Sequence, residues 1–170
     1  MSKPAFVHLH NHSEYSLLDG ACRIADMVDW AYQTSAPAVA LTDHGNLFGA
    51  YEFYKTAKDK GVNPIVGCEV YVAPGSRHAR GKEQGSPYHL TLLSENESGY
   101  NNLMKLVSLG YIEGFYSKPR IDMEILREYR EGLIALSGCI QGFVPALLAS
   151  NQREAAVKNL LTLQEIMGKD

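Results

Sequence analysis

Short apolar runs alternate along this chain with segments of helical periodicity, and nearly every apolar run meets a histidine, an acid or a cysteine at one end. Ala5 to Leu9, Ala38 to Thr42, Pro64 to Val72, Tyr88 to Leu93 and Leu133 to Ser137 read as strands. Between them Ile24, Met27, Val28 and Ala31 recur at helical spacing. Ala50, Phe53, Tyr54 and Ala57 do the same and stop at Gly61. Tyr100, Leu103, Met104 and Val107 predict a helix capped by Ser94 with Glu97. Asp122 caps a short helix carrying Ile125, Leu126 and Tyr129, and 151–167 predicts a last one opened by Asn151 and Glu154. The stretch 74–87, with glycines at 75, 81 and 85, is a loop by composition. Alternation of this kind specifies an α/β fold around a largely parallel sheet. In such folds chemistry collects at the C-terminal ends of the strands.

The polar residues obey that rule. The first predicted strand runs into His8, His10 and His12, the second ends in Asp43-His44, the third carries Cys68-Glu69, the fourth opens on His89, and the fifth ends near Cys139. Asp19 lies in the loop after the first. Five of the six histidines therefore stand next to predicted strand ends, beside acids. One histidine so placed is more often a satisfied polar residue than a ligand. Burying several imidazoles and carboxylates together without a cation would be costly. Imidazole mixed with carboxylate suits zinc, manganese or iron rather than calcium or magnesium alone, and carboxylates bridge ions in multi-metal phosphoesterase sites.

Composition narrows the function classes. The formal net charge of −3 argues against a chain that clamps duplex DNA by bulk positive charge. No apolar run reaches the roughly 18 residues of a membrane span, and the first residues lack the apolar core of a secretory signal. Three cysteines, Cys22, Cys68 and Cys139, do not make a disulfide framework. A cytoplasmic protein of 170 residues with no membrane partner is expected.

The phrases His10-Asn11-His12-Ser13 with Ser16-Leu17-Leu18-Asp19-Gly20, then Thr42-Asp43-His44, then Glu69 and His89, resemble the successive motifs of the PHP (polymerase and histidinol phosphatase) superfamily. The longer stretches 42–48, 64–72, 114–122 and 131–139 resemble its branch in the alpha subunits of bacterial DNA polymerase III more than the histidinol phosphatase branch. The resemblance covers essentially the whole chain. It implies a distorted (β/α)7 barrel, here partial and truncated before its closing strands, because the family's late Asp-x-His motif does not appear. It implies His10, His12, Asp19, His44, Glu69, His89 and Cys139 as ligands of two or three divalent ions, with Asp19, His44 and Glu69 catalytic. Zinc is the expected metal, with manganese or iron as alternatives, and magnesium would serve a polymerase site elsewhere in a longer parent chain. The implied activity is 3′-5′ exonucleolytic hydrolysis at a single strand or primer 3′ end, weak or lost in these residues alone. Implied partners are DNA and other subunits of the polymerase holoenzyme, including a proofreading exonuclease. Two alternatives stand beside this reading: a structural module that supports the polymerase and docks that exonuclease, and a small-molecule phosphatase.

Other residues carry two readings each. His8 is a partner that orients a ligand, or a core histidine; Asp43 holds His44, or caps the helix after it. Tyr15 stacks on a base, or packs. Arg77, Arg80 and Lys82 guide a DNA strand, or belong to a solvated loop; Lys118-Pro119-Arg120 reads similarly, with Arg120 facing a phosphate. Cys22 and Cys68 read as small buried residues.

Overall fold

The computed structural model describes residues 6–81 and 85–168. Its elements, in chain order, are α1 (Ile24–Gln33), β1 (Ala38–Leu41), α2 (Ala50–Lys60), β2 (Asn63–Val72), β3 (Tyr88–Ser94), α3 (Glu97–Ile112), β4 (Arg120–Ile121), α4 (Met123–Glu128), β5 (Leu133–Leu136), α5 (Pro145–Ala149) and α6 (Arg153–Met167). The strands form one five-stranded sheet in the order β1-β2-β3-β5, with β4 also on β2.

Strand β2 is the spine. Its first half pairs parallel with β1, from Ala38 opposite Asn63 to Leu41 opposite Val66. Its second half pairs antiparallel with β3, from Gly67 opposite Leu93 to Val72 opposite Tyr88. Strand β4 joins it in parallel at Tyr71 and Val72, and β5 runs antiparallel to β3. Four strands thus point one way and β3 the other. The expected parallel sheet holds except at β3, whose connection from β2 has no helix among the described residues. An antiparallel neighbour needs no helical crossover.

Period-two alternation divides the sheet by chemistry. Cys68, Val70 and Val72 of β2, with Leu90 and Leu92 of β3, enter one core with Leu103, Leu106, Ile125, Leu126 and Ile166. Val39 and Leu41 of β1 enter a second, with Ile24, Val28 and Phe53 from α1 and α2. Full burial of a side chain such as Phe53 stabilises by about 1.5–3 kcal/mol. The other face of β2 and β3 carries Glu69, Tyr71, His89 and Thr91.

Three local expectations need correction. Ala5 lies outside the described residues, and 6–9 is not a strand. His8 O accepts from Ala40 N and Asn11 O from Thr42 N, so three steps along this segment face the two steps from Ala40 to Thr42. The extra residue breaks the ladder, and the Asn11 side chain takes over, donating Nδ2 to Ala40 O at 3.0 Å. The cap of α3 is Asn96, whose Oδ1 accepts from Gly99 N, while Ser94 stays in β3 and donates Oγ to Val66 O. Helix α6 begins two residues later than expected, because Asn151 takes a left-handed φ of 58° and Gln152 is the cap residue. Asp122 does cap α4, accepting from Ile125 N, and Gly61 ends α2 with φ 74°. The two-residue β4 and the single-turn α5 were too short for periodicity to reveal.

Candidate metal centre

Strand β1 stops at Leu41, but its pairing with β2 continues one step further. Glu69 N donates to Asp43 O at 3.1 Å and Gly45 N to Glu69 O at 2.9 Å, which sets His44 beside Glu69. Because β3 is antiparallel, His89 at its start arrives where β1 ends. The loop after β5 then folds across it, with His89 N donating to Gln141 O and Phe143 N to His89 O, which brings Cys139 near.

Glu69 is the hub of the resulting cluster. Its carboxylate is buried, and its Oε2 lies 2.6 Å from His10 Nε2, 3.0 Å from His12 Nε2 and 3.5 Å from His44 Nδ1. Its Oε1 lies 2.7 Å from His89 Nδ1 and 4.0 Å from Cys139 Sγ, which is itself 3.9 Å from His89 Nδ1. His44 turns its other nitrogen, Nε2, to Asp19 Oδ2 at 2.8 Å. The rings of His12 and His44 stack at 4.2 Å between centroids.

Burial alone would raise the Glu69 pKa, but hydrogen bonds from His10, His12 and His89 outweigh it and hold this carboxyl far below the usual range. The bond to Glu69 raises His12, whereas burial lowers His44 and favours its neutral imidazole. The 3.5 Å approach of His44 Nδ1 to Glu69 lacks hydrogen-bond geometry, so this nitrogen is buried without a partner. A cation between the two would satisfy both. Three interlocked groups have ligand atoms within 4.8 Å of one another: His10, His12 and Glu69; His12, Asp19 and His44; His44, Glu69 and His89. The donor set therefore fits divalent metal ions.

Behind the cluster lies a small buried network. Among the described residues the Asp43 carboxylate makes no hydrogen bond to the His44 ring. It accepts from Ser13 N at 2.6 Å, Ser13 Oγ at 2.7 Å and Ser16 Oγ at 2.9 Å. Ser16 Oγ in turn accepts from His44 N at 3.0 Å and lies 3.4 Å from His12 Nδ1. The 13–20 turn that carries Asp19 closes on Gly20, where a Cβ would collide with Ser13 O. Sequence alone assigns Ser13 and Ser16 no role, since nothing in it says which serine hydroxyls are buried. Tyr71 joins them from the same face of β2 as Glu69, two residues away; its ring stacks on His44 at 5.8 Å.

Among the described residues the remaining candidates bond none of the cluster, although Tyr15 lines the cleft beside it. His8 is exposed, its ring edge-on to Phe6 and Trp30, and it bonds none of the cluster. Tyr15 packs against the α1/α2 core and donates its hydroxyl to Glu52. Arg77 is an interior residue: its guanidinium donates to Glu113 at 2.7 Å and to Asp122 at 3.1 Å. Arg120 is buried and donates to the carbonyls of Gly114, Arg77 and Ala79. Arg80 is tied to the carbonyls of Arg77, Ala79 and Glu113. These arginines staple the 76–81 loop to the turn before β4; Arg77 and Arg120 are buried, while Arg80 remains exposed. Lys82 lies outside the described residues. Cys68 is fully buried, and Cys22 is exposed rather than buried, because it sits in the loop ahead of α1.

The PHP domain model matches residues 8–170. The chain belongs to the PHP domain family. The chain also resembles named proteins. The chain is 52% identical over 164 residues to DNA polymerase III subunit alpha of Thermus aquaticus, covering 94% of this chain and 13% of that protein. It is 48% identical over 167 residues to the subunit of the same name in Borreliella burgdorferi, covering 97% and 15%. In Treponema pallidum the figures are 46% over 172 residues, 100% and 15%. The chain thus spans 13% to 15% of the length of these relatives. The mixed α/β sheet described above is part of a PHP-type fold. Among the described residues no helix is long and apolar enough to cross a membrane.

Proposed function

We propose that this chain is the opening, incomplete PHP portion of a bacterial replicative DNA polymerase alpha subunit, and that its cleft hydrolyses phosphodiesters at a DNA 3′ end. The observation that carries the reading is Glu69, one buried carboxylate reached by four imidazoles through both of its oxygens. Such a hub has the shape of a bridging ligand. His10 and His12 would hold one ion with Glu69, Asp19 and His44 a second, and His89 and Cys139 a third with Glu69. Zinc suits this donor set, and manganese or iron are the alternatives. When bound, such ions polarise a phosphoryl oxygen and acidify a water.

The chain's own residues do the rest. Burial favours the neutral imidazole of His44, the form that can ligate, and its Nε2 stands 2.8 Å from the Asp19 carboxylate that would share the ion. Asp19 is half-exposed at the cleft mouth, placed to take the proton of an attacking water. Glu69 stays ionised and fixes the imidazoles. The net charge of −3 leaves bulk DNA affinity to other parts of a longer cytoplasmic chain, whose polymerase site would use magnesium, and to partner subunits of the holoenzyme, including a separate proofreading exonuclease.

The test is elemental analysis of the full-length parent paired with hydrolysis of a 3′-labelled single strand. Metal together with 3′-end hydrolysis, both lost in Glu69→Gln, is the expected result. Metal that raises the melting temperature without hydrolysis would favour a structural module that supports the polymerase and docks the exonuclease.

A further inference from the structure

The cluster opens into a cleft of about 470 Å³ whose walls include Leu17, Leu18, Phe48, Tyr111, Tyr71 and Lys118. Leu17 and Leu18 are 88% and 95% exposed, and Phe48 is 67% exposed, with its ring 6.4 Å from that of Tyr111. These large apolar groups face solvent within the same cleft as His44, His89 and Asp19.

Lys118 is the one Lys or Arg among the residues lining this cleft. It is half-buried and forms no ion pair with a described carboxylate. Its Nζ donates to Tyr71 Oη at 3.1 Å and stands 4.3 Å from the centre of the Tyr71 ring, the ring that stacks on His44. The backbone holds it there at a cost. Ser117 takes a left-handed φ of 60°, a strained conformation for a residue with a side chain, in a turn closed by Tyr116 N on Lys118 O. Next to it, Pro119 packs so close to Gly45 that a Cβ there would sit 2.9 Å from Pro119 Cγ. Gly45 has φ 63°, so the chain beside His44 is shaped to let the 117–119 turn approach.

We propose that this cleft is a nucleotide subsite in which Lys118 grips a phosphate and Phe48 with Tyr111 forms the platform for its base. The proposal rests on the phosphodiesterase reading and names how the terminal nucleotide is seated. A flexible ammonium locked by a strained turn over an aromatic ring is set for one anion rather than for general solubility. Exposed aromatic rings lining the same cleft as that charge match the flat face of a base, whereas a bare sugar phosphate would leave them uncovered. Lys118 and the rings act as positioning groups: they hold the substrate's phosphate and base while the residues around Glu69 face the scissile bond.

The test is equilibrium binding of thymidine 5′-monophosphate, thymidine, ribose 5-phosphate and inorganic phosphate to the zinc-treated chain, with zinc uptake measured in parallel. Lys118→Ala should weaken thymidine monophosphate about tenfold or more, the scale of a charge-assisted phosphate contact, and leave thymidine unchanged. Lys118→Arg should restore most of the loss. Phe48→Ala should weaken the nucleotide and thymidine several-fold and leave inorganic phosphate unchanged. Zinc uptake and melting temperature should match wild type in all three variants. Thymidine monophosphate that binds equally to wild type, Lys118→Ala and Phe48→Ala overturns the subsite even if zinc is bound. So does a wild type that binds no nucleotide, or one that binds ribose 5-phosphate as tightly. Lys118-dependent nucleotide binding in a chain that takes up no zinc would keep the subsite and defeat the metal reading instead.

Discussion

Ser16 Oγ donates to Asp43 Oδ1 at 2.9 Å, and the same oxygen accepts from the backbone of His44 and lies 3.4 Å from His12 Nδ1. One buried hydroxyl therefore joins the Asp19 turn to two imidazoles on different segments. Ser16→Ala should remove that join. It leaves Asp43 with one donor fewer in a dry site, costing about 1–3 kcal/mol of stability. It also frees the His12 ring, and loss of such an orienting partner lowers metal affinity about 10- to 100-fold. Urea denaturation and zinc titration of the variant measure the two effects. Unchanged zinc affinity would mean that Ser16 only supports the turn.

Glu69→Gln keeps the size of the hub and removes its charge. Zinc affinity should fall by at least about a hundredfold, more than for any orienting residue, and the bound-metal count should drop by more than one ion. Isothermal titration against wild type reads both. A variant that loses a single ion would show that Glu69 does not bridge.

Acidification should strip metal in two stages. His12 has its pKa raised by Glu69, so protons compete for it first as pH falls. His44 has its pKa lowered by burial, so it stays neutral to more acidic pH, and the group of His44, Glu69 and His89, which lacks His12, releases later. The metal-free chain responds with the opposite sign at His12. A raised folded pKa gives stability that is fully present below pH 6.5 and fades as pH rises through the raised value. Melting temperatures with and without zinc between pH 5 and 8 check both statements. Parallel pH curves for the two forms would contradict them.

Arg77→Ala should destabilise rather than impair nucleic-acid binding. The guanidinium is buried against Asp122 and Glu113, and removing one partner of a buried ion pair costs about 3–5 kcal/mol. Denaturant midpoints measure the loss. Binding of a single-stranded oligonucleotide to the fraction that remains folded should equal that of wild type.

What was legible in the sequence followed from period and position. Glu69 and His89 were readable because strand alternation fixes which residues share a face, and His44 because it follows an apolar run. The reversed direction of β3 left no trace in its own residues, since Tyr88 to Ser94 would alternate identically in either sense. The arginines of the 76–81 loop looked like a basic patch because sequence shows charge but not partners; Asp122 and Glu113 lie far along the chain from Arg77. Cap assignment at α3 failed by two residues because Ser94 and Asn96 are both good caps, and only the extra pairing at the end of β3 decides between them.

The antiparallel pairing of Gly67–Val72 with Tyr88–Leu93 also makes this chain a sensor of its own register. A slip of one residue along β3 would turn Leu90 toward the cleft and send His89 into the apolar core. Such a mispaired state offers an incomplete cage to a cation. An ion that binds only the correctly paired state adds RT ln(1 + [M]/Kd) to its stability and nothing to its rivals. Metal supply would then act as a selector among strand pairings during folding, so that chains matured in a chelated cell would differ from those stripped of metal afterwards.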